Sequence, residues 1–576
     1  MTGIVLAVAL LSMERMSLDG LWDFHFESGK KTEEVRMPDF KVDDKMLVPG
    51  CWTTESAYYD CRGTGCYRRR IAVEKAAEDA YLVVDGVGLR ARFWIDGRDV
   101  GAVALPWSRF EVPIGSLGCG EHELVVAVDN MSDPNKMKLF SDFYDFYPYG
   151  GIFHGVELFL RRQSTEVKSV TVRTRDYKTG RVELELVFAG KCLDAFDADV
   201  AFDGGEKKKV AFVGRKATLE VPAFKLWSPE SPHLHRVRVG LVVDANRQEK
   251  SFAEVQFGIR QVSTDGGRIM LNGEPIYLKG ANRHESHGEF GAATPKSLMY
   301  EDLHNMKLMG MNFVRGSHYP QCDAFLSLCD EMGMLVWEES LGWGNRTNQL
   351  EDAEFQSLQE EQTRLMVKNS INHPSVIISG FLNELDSSSE ASKGIVNRLV
   401  TAVREEDSGH LVAYACNRVN DDVANIQTDI IAYNVYPGWY TDRPKIGSRE
   451  ELRKTIRDCH RNIVRFFRRK YGDSRPIVVS ESGVKADFGF RDSRGRAQYT
   501  EDYQAEYTQL MIEEILANRD IAGFAIWLYA DAKSYTRVHS LTARPYGYNT
   551  GGLYDAYRRP KLAVETVRKL FREFAR

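Results

Sequence analysis

From about Gln261 onward the chain alternates short apolar runs with amphipathic stretches. Eight runs stand out: Ile276–Lys279, Phe313–Arg315, Leu335–Glu338, Val376–Glu384, Leu411–Ala415, Ile430–Asn434, Ile477–Glu481 and Phe524–Leu528. Helical patterns lie between them, for example Tyr300–Met309, Asp323–Met332, Phe355–Asn369, Ser389–Glu405 and Arg449–Tyr471. A parallel strand is buried on both faces and therefore reads as unbroken apolar sequence, and helices with one apolar stripe cover it. Eight such units predict a TIM (β/α)8 barrel over residues 261–576.

Two of the runs end in a glutamate. Val376-Ile377-Ile378-Ser379-Gly380-Phe381-Leu382-Asn383-Glu384 starts after His373-Pro374 and stops at Asp386-Ser387-Ser388-Ser389. Pro476-Ile477-Val478-Val479-Ser480-Glu481-Ser482-Gly483 has the same form. The C-terminal strand ends of such a barrel form its active site. Carboxylates at two of those ends are the minimum equipment for glycoside hydrolysis. His373-Pro374 reads as structural, since proline suits a strand start.

The first part of the chain has a different grammar. Residues 17–163 read as all-β, with Gly20–Phe26 alternating and Tyr81–Gly86 and Ala91–Gly97 ending in Asp-Gly turns. This spacing predicts a sandwich or a jelly roll. Residues 164–260 repeat the style in a smaller unit, the size of an immunoglobulin-like sandwich, with Val167–Arg175, Arg181–Phe188 and His235–Val243 as clear strands. Residues 1–16 are expected to be an extension outside the fold: Ile4–Leu11 is apolar, but no basic residue precedes it, as a signal peptide requires.

The net charge of −6 is spread without a basic block, which argues against nucleic acid or an anionic membrane as partner. No run reaches the roughly 18 apolar residues of a membrane span. The nine cysteines show no CxxC pair and read as reduced thiols in a cytoplasmic protein. The sequence shows no dedicated metal cluster and requires no cofactor; a homo-oligomer is compatible with it.

Longer motifs carry a resemblance. Asn312-Phe313-Val314-Arg315-Gly316-Ser317-His318-Tyr319-Pro320, Leu382-Asn383-Glu384, Ser480-Glu481-Ser482-Gly483 and Gly280-Ala281-Asn282-Arg283-His284-Glu285 occur in this order. Together they resemble glycoside hydrolase family 2, the group of β-galactosidases, β-glucuronidases and relatives, from Leu18 to about Lys569. The family fold is a jelly roll, an immunoglobulin-like sandwich and a TIM barrel. The resemblance implies a retaining exo-β-glycosidase with Glu384 as acid/base and Glu481 as nucleophile. It implies that Asn383 holds the sugar 2-hydroxyl and that Tyr436 hydrogen-bonds the nucleophile. Arg283, His284 and His318 just past strand ends, Trp527 at the eighth strand and Asn549 are further candidates for the sugar pocket. Asp145, in Asp145-Phe146-Tyr147-Pro148-Tyr149-Gly150-Gly151, resembles a loop that reaches the barrel mouth in the glucuronidase branch. Structural alternatives stand beside these roles: a solvated strand end for either glutamate, a cap for Asn383, packing for Tyr436 and Trp527, a turn for Asp145, and a brace for Arg283, His284 and His318. Some family members use Mg²⁺ or Na⁺ near the site.

The sequence departs from one family pattern. Glucuronidases carry Asn-x-Lys before the final helix, and the lysine meets the uronate. This chain has Asn549-Thr550-Gly551. Arg346, in Gly342-Trp343-Gly344-Asn345-Arg346-Thr347-Asn348, is a candidate replacement, since an arginine fork suits a carboxylate; its alternative is a surface-loop residue. The expected substrates are therefore a β-galactoside or a β-galacturonide, with a β-glucuronide third. A carbohydrate-binding protein on an inactive scaffold is the alternative from another class, and it would typically have lost one glutamate.

Overall fold

The computed structural model describes residues 13–35, 41–132, 139, 145–242, 249–440, 447–472, 474–492, 494, 497–534 and 544–574. Residues 1–12 of the expected extension lie outside these. Its remainder does not stand apart. Glu14–Ser17 is a strand, paired antiparallel with Val156–Arg161, and Met13 is buried under the Tyr81 hydroxyl. The fold thus reaches back beyond Ser17, because an edge strand there satisfies the free backbone groups of Val156–Arg161.

The first domain packs a six-stranded antiparallel sheet on a four-stranded one that contains Glu14–Ser17. Trp22, Phe24, Trp52, Tyr67, Phe93 and Phe110 fill the space between. The second domain is one seven-stranded antiparallel sheet, from Thr165–Asp176 to Glu249–Phe257. It curls until its first and last strands meet, where Val167 N–H donates to Ser251 Oγ at 2.9 Å. A three-stranded meander, Val262–Asp265, Arg268–Leu271 and Glu274–Ile276, follows. Its Val262, Ile269 and Leu271 pack with Leu278, Phe313, Leu335 and Trp337 of the barrel. The meander therefore closes the N-terminal end of the barrel.

The barrel strands are β1 (Leu278–Arg283), β2 (Phe313–Gly316), β3 (Leu335–Glu339), β4 (Val376–Gly380), β5, β6 (Ile431–Asn434), β7 (Ile477–Ser482) and β8 (Ile521–Ile526). Strand β5 runs as Leu411–Ala413 and, past Tyr414, as Ala415–Cys416. Neighbours follow the order β5–β4–β3–β2–β1–β8–β7–β6–β5, so the two halves of β5 close the ring. Helices cover it: α1 (Lys296–Leu308), α2 (Asp323–Met332), α3 (Thr347–Leu350), α4 (Ala353–Ser370), α5 (Glu390–Glu406), α6 (Arg449–Tyr471), α7 (Glu501–Leu516) and α8 (Ala563–Glu573).

Each of the eight apolar runs overlaps a barrel strand, with shifted ends. Ile276 belongs to the meander, so β1 starts at Leu278 and extends to Arg283. Strand β4 stops at Gly380, not at Glu384. Gly380 is required there: a Cβ would lie 2.1 Å from Trp337 Nε1. None of the nine cysteines forms a disulfide.

Candidate active site

The floor of the mouth is built around Arg315 at the end of β2. It is fully buried and stacks on Trp337, with its guanidinium carbon 5.0 Å from the ring centroid. Nε and Nη2 donate to Glu339 Oε1 at 2.9 and 2.7 Å. Nη1 donates to Asn282 Oδ1 at 2.9 Å and to Glu481 Oε1 at 2.7 Å. Nη2 also donates to Asn383 Oδ1 at 2.9 Å. These five bonds match the five N–H groups of a guanidinium and fix the strand ends relative to one another.

Glu481 sits on β7 itself and is buried. Its Oε1 receives Arg315, and its Oε2 accepts from the Tyr436 hydroxyl. Burial pushes its carboxyl up, while Arg315 and Tyr436 push it back toward the ionised form. Burial and the Glu481 charge hold Tyr436 well above the usual phenol range, so it remains a donor.

Glu384 is half-buried and lies in a turn beyond β4. Both Leu382 and Glu384 have left-handed backbone, at φ 50° and 55°. Such residues are strained and persist when the surroundings fix them. Here Asn383 N–H donates to Gly342 O at 3.0 Å and Glu384 N–H to Ala415 O at 2.8 Å. The Glu384 carboxylate accepts from Asn434 Nδ2 at 2.9 Å and Asn417 Nδ2 at 3.1 Å. Burial first, and then repulsion from Glu481, raise its carboxyl to about 7. Asn434 Nδ2 also reaches Asn383 Oδ1 at 3.0 Å, so one chain of contacts runs Glu384–Asn434–Asn383–Arg315–Glu481.

Among the described residues, Asn383 Nδ2, His284 Nε2 and His318 Nε2 are buried here without a hydrogen-bond partner. Buried polar groups are normally satisfied, and a cluster of exceptions around two carboxylates suits a hydroxylated ligand. His318 Nδ1 meets Glu339 Oε2 at 3.0 Å. Burial holds both imidazoles well below their usual range, hence neutral. With Nδ1 of His318 donating to Glu339, its Nε2 is left as an acceptor. Trp527 stacks on His318 at 5.6 Å and 11°.

Arg283 does not join this group. Residues alternate along a strand, and Asn282 is the one that points inward on β1. Arg283 points outward, donating to Asp302 Oδ2 on α1 at 3.0 Å and stacking over Phe325 of α2. Arg346 is exposed at the start of α3 and does not line the cleft described next.

The wall comes from loops of two domains. A small cleft is lined by Asp145, Tyr436, Trp439, Tyr440, Gly483, Val484, Lys485, Trp527 and Asn549. Asp145, from the first domain, receives Arg544 Nε at 2.5 Å and also Nη2, with Ser534 Oγ at 3.1 Å and Asn549 Nδ2 at 3.0 Å. Against the upward push of burial, Arg544 holds its carboxyl below the usual range. The same loop places Phe146 5.4 Å from His284 and joins Tyr149 Oη to Ser286 Oγ at 2.8 Å. Lys485, on the loop after β7, is buried. Burial and Arg544 lower its ammonium to about 7.

Sequence reasoning gave no role to Arg315, Asn282, Glu339, Asn417, Asn434, Tyr440, Lys485 or Arg544. For Arg315 and Glu339 a signal existed: charged residues inside apolar strands require partners. Three mouth carboxylates are matched by guanidinium groups, Glu339 and Glu481 by Arg315 and Asp145 by Arg544, whereas Glu384 meets the amides of Asn417 and Asn434. Among the described residues, His154, Glu285 and Cys322 form a group able to take a metal. It lies between the first domain and the barrel, where His154 Nε2 meets Glu285 Oε2 at 2.9 Å.

A TIM barrel with two glutamates at its mouth, behind two β-sandwich domains, defines a glycoside hydrolase. Residues 262–576 match the family model "Glycosyl hydrolases family 2, TIM barrel domain", and residues 156–260 match "Glycosyl hydrolases family 2". The chain belongs to glycosyl hydrolase family 2. It is 25% identical over 612 residues to a β-glucuronidase of Streptococcus agalactiae, covering 97% of each chain. It is similar to the solved β-galacturonidase of Eisenbergiella tayi bound to galacturonate, at 27% identity and TM-score 0.86, covering 98% of each. A Bifidobacterium dentium β-glucuronidase shares the fold, with TM-score 0.87 at 21% identity over 98% of each chain.

Proposed function

We propose that the protein is a retaining exo-β-glycosidase that removes a terminal galactose-configured uronate, a β-galacturonidase. The observation that carries the reaction is the unequal setting of the two glutamates. Glu384 keeps its proton to about pH 7, whereas Glu481 is held by Arg315 and Tyr436. Glu384 protonates the glycosidic oxygen as Glu481 attacks the anomeric carbon, and a glycosyl-enzyme forms. The negative charge of Glu481 is then gone, the repulsion on Glu384 falls, and Glu384 accepts a proton from the attacking water. Attack from opposite faces in the two steps returns the original anomeric configuration. Asn383 Nδ2, lacking a partner, supplies a donor to the sugar 2-hydroxyl, and His318 Nε2 supplies an acceptor.

The sugar reading rests on three supports. The similar proteins reported above are named as uronidases, and one was solved with galacturonate. The lysine of the glucuronidase pattern is absent at Gly551. The cleft lining nevertheless includes a basic side chain, Lys485. A neutral β-galactoside is the second reading, favoured by Gly551 alone. A panel of 4-nitrophenyl β-glycosides of galactose, galacturonate, glucuronate, glucose and mannose tests both. The highest kcat/KM is expected on the galacturonide. A higher value on the galactoside replaces the first reading with the second. No turnover of any glycoside by folded protein replaces both with a binding protein.

A further inference from the structure

We propose that Asn417 is a positioning residue for the acid/base, holding the Glu384 carboxyl in line from the leaving-group side of the mouth. This inference rests on Glu384 being the acid/base in the reading above, and not on which sugar is removed. Asn417 is the first residue past β5, and the C-terminal strand ends of such a barrel form its mouth. Its side chain is exposed, yet its backbone is anchored. Ala415 and Cys416 pair with Ala432 and Tyr433 of β6, and Cys416 Sγ meets Ser387 Oγ at 3.3 Å. Glu384 N–H donates to Ala415 O, so the turn that carries the acid is tied to the strand that presents Asn417.

The carboxyl is gripped at both oxygens. Asn434 Nδ2 donates to Oε1 from the buried side. That amide is itself fixed, because its Oδ1 accepts from Ser480 Oγ at 2.7 Å and its Nδ2 also meets Asn383 Oδ1. Asn417 Nδ2 donates to Oε2 from the open side. One contact leaves a carboxyl free to swing about it, whereas a bond at each oxygen fixes its plane. An exposed amide has water as an alternative partner, so its bond contributes little to folding. What it contributes is direction, and misdirected catalytic groups lose rate.

The leaving group departs on the same side. Asp145, Tyr436, Lys485 and Trp527 line the cleft, and neither Glu384 nor Asn417 does. The glycosidic oxygen lies between the anomeric carbon at Glu481 and the acid at Glu384. A group attached to that oxygen therefore extends past Glu384 toward Asn417.

An amide donor also favours the charged form of a carboxyl. Burial raises Glu384 most, Glu481 on β7 and Asp145 of the first domain raise it further, and Asn434 and Arg315 lower it. The phenols of Tyr436 and Tyr440, after β6, feel its charge. Arg418, beside Asn417 in the chain, turns to Asp386 Oδ1 at 3.4 Å. All of these remain when Asn417 is replaced, so a change in the variant reports the one bond.

Asn417→Ala removes the donor and little packing, and its melting temperature should match that of the wild type. Without the donor the carboxylate is less stabilised, and the proton is kept to higher pH. The fall of kcat/KM with rising pH is therefore expected about 0.5 to 1 pH unit higher, the equivalent of one hydrogen bond. Below that fall, kcat/KM on methyl glycosides, which need the proton, should drop roughly 10-fold, a part of the general-acid contribution. On 2,4-dinitrophenyl glycosides of the same sugar, which do not need it, the drop should be absent. Asn417→Asp places a like charge beside Glu384 and should move the fall further the same way, while Asn417→Gln should recover part of the wild-type profile. An unmoved pH profile in Asn417→Ala, or an equal loss on both leaving groups, overturns the assignment while the acid/base reading stands. If Glu384→Ala itself loses equally on both leaving groups, the acid/base reading fails and this inference with it.

Discussion

The floor and the wall of the catalytic mouth are built differently. The floor is made by strands of one barrel, and a single buried guanidinium ties β1, β2, β3, β7 and the turn after β4 together. The wall is made by loops, one of them from another domain, joined by the Asp145–Arg544 pair. The floor fixes the geometry of bond cleavage. The proposed function gives the two parts different work, bond cleavage to the floor and sugar choice to the wall.

Four experiments bear on that division, in order of expected effect. Glu481→Gly should lower turnover by about 10⁴-fold or more, because no nucleophile remains. Azide or formate should restore reaction with inverted product. Retained product would reassign the nucleophile. Glu384→Ala should cost roughly 10²- to 10⁴-fold on substrates with poor leaving groups. The cost should be far smaller with 4-nitrophenol-type leaving groups once azide takes over the second step, and that product should keep its configuration.

Asp145→Ala should reduce kcat/KM by roughly 10- to 100-fold while sparing the bond-breaking floor. It should also lower the melting temperature, since it strands the buried Arg544 without its carboxylate. An unchanged kcat/KM would detach the first domain from sugar binding. The smallest effect concerns pH. Glu384 must be protonated in the free enzyme, and its carboxyl is raised to about 7. Accordingly kcat/KM should fall as pH rises through about 7. In Glu481→Gln the repulsion is gone, so Glu384 should titrate lower by carbon-13 NMR. An unmoved titration would show that burial alone sets it.

The legibility of the sequence follows the same division. Apolar runs buried on both faces announced all eight barrel strands, and the glutamates of the floor were visible at their ends. What failed was local direction. With β1 read as ending at Lys279, Arg283 looked like a mouth residue, whereas two-residue alternation through Arg283 turns it to the helices and Asn282 inward. Glu384 looked like a strand tip, yet the strand ends at Gly380 and two left-handed residues bring the carboxylate back. The wall was largely illegible. Asp145 was visible through its motif, but nothing in its spacing pointed to Arg544, and the buried Lys485 resembles any loop lysine. Arg346 was chosen because it follows a barrel strand, and its side chain is exposed.

The Asp145–Arg544 pair joins residues 399 positions apart. A ribosome adds about 5–20 residues per second, so roughly 20–80 s separate the synthesis of the two partners. The first sandwich can fold long before its loop meets the barrel. Throughout that interval Asp145 and Phe146 have no mouth to enter, and the nascent chain has no sugar site. Catalytic competence should therefore appear late and abruptly during synthesis. Chains stalled before Arg544 should gain the sandwich fold, measurable by protease resistance, while remaining unable to bind the sugar.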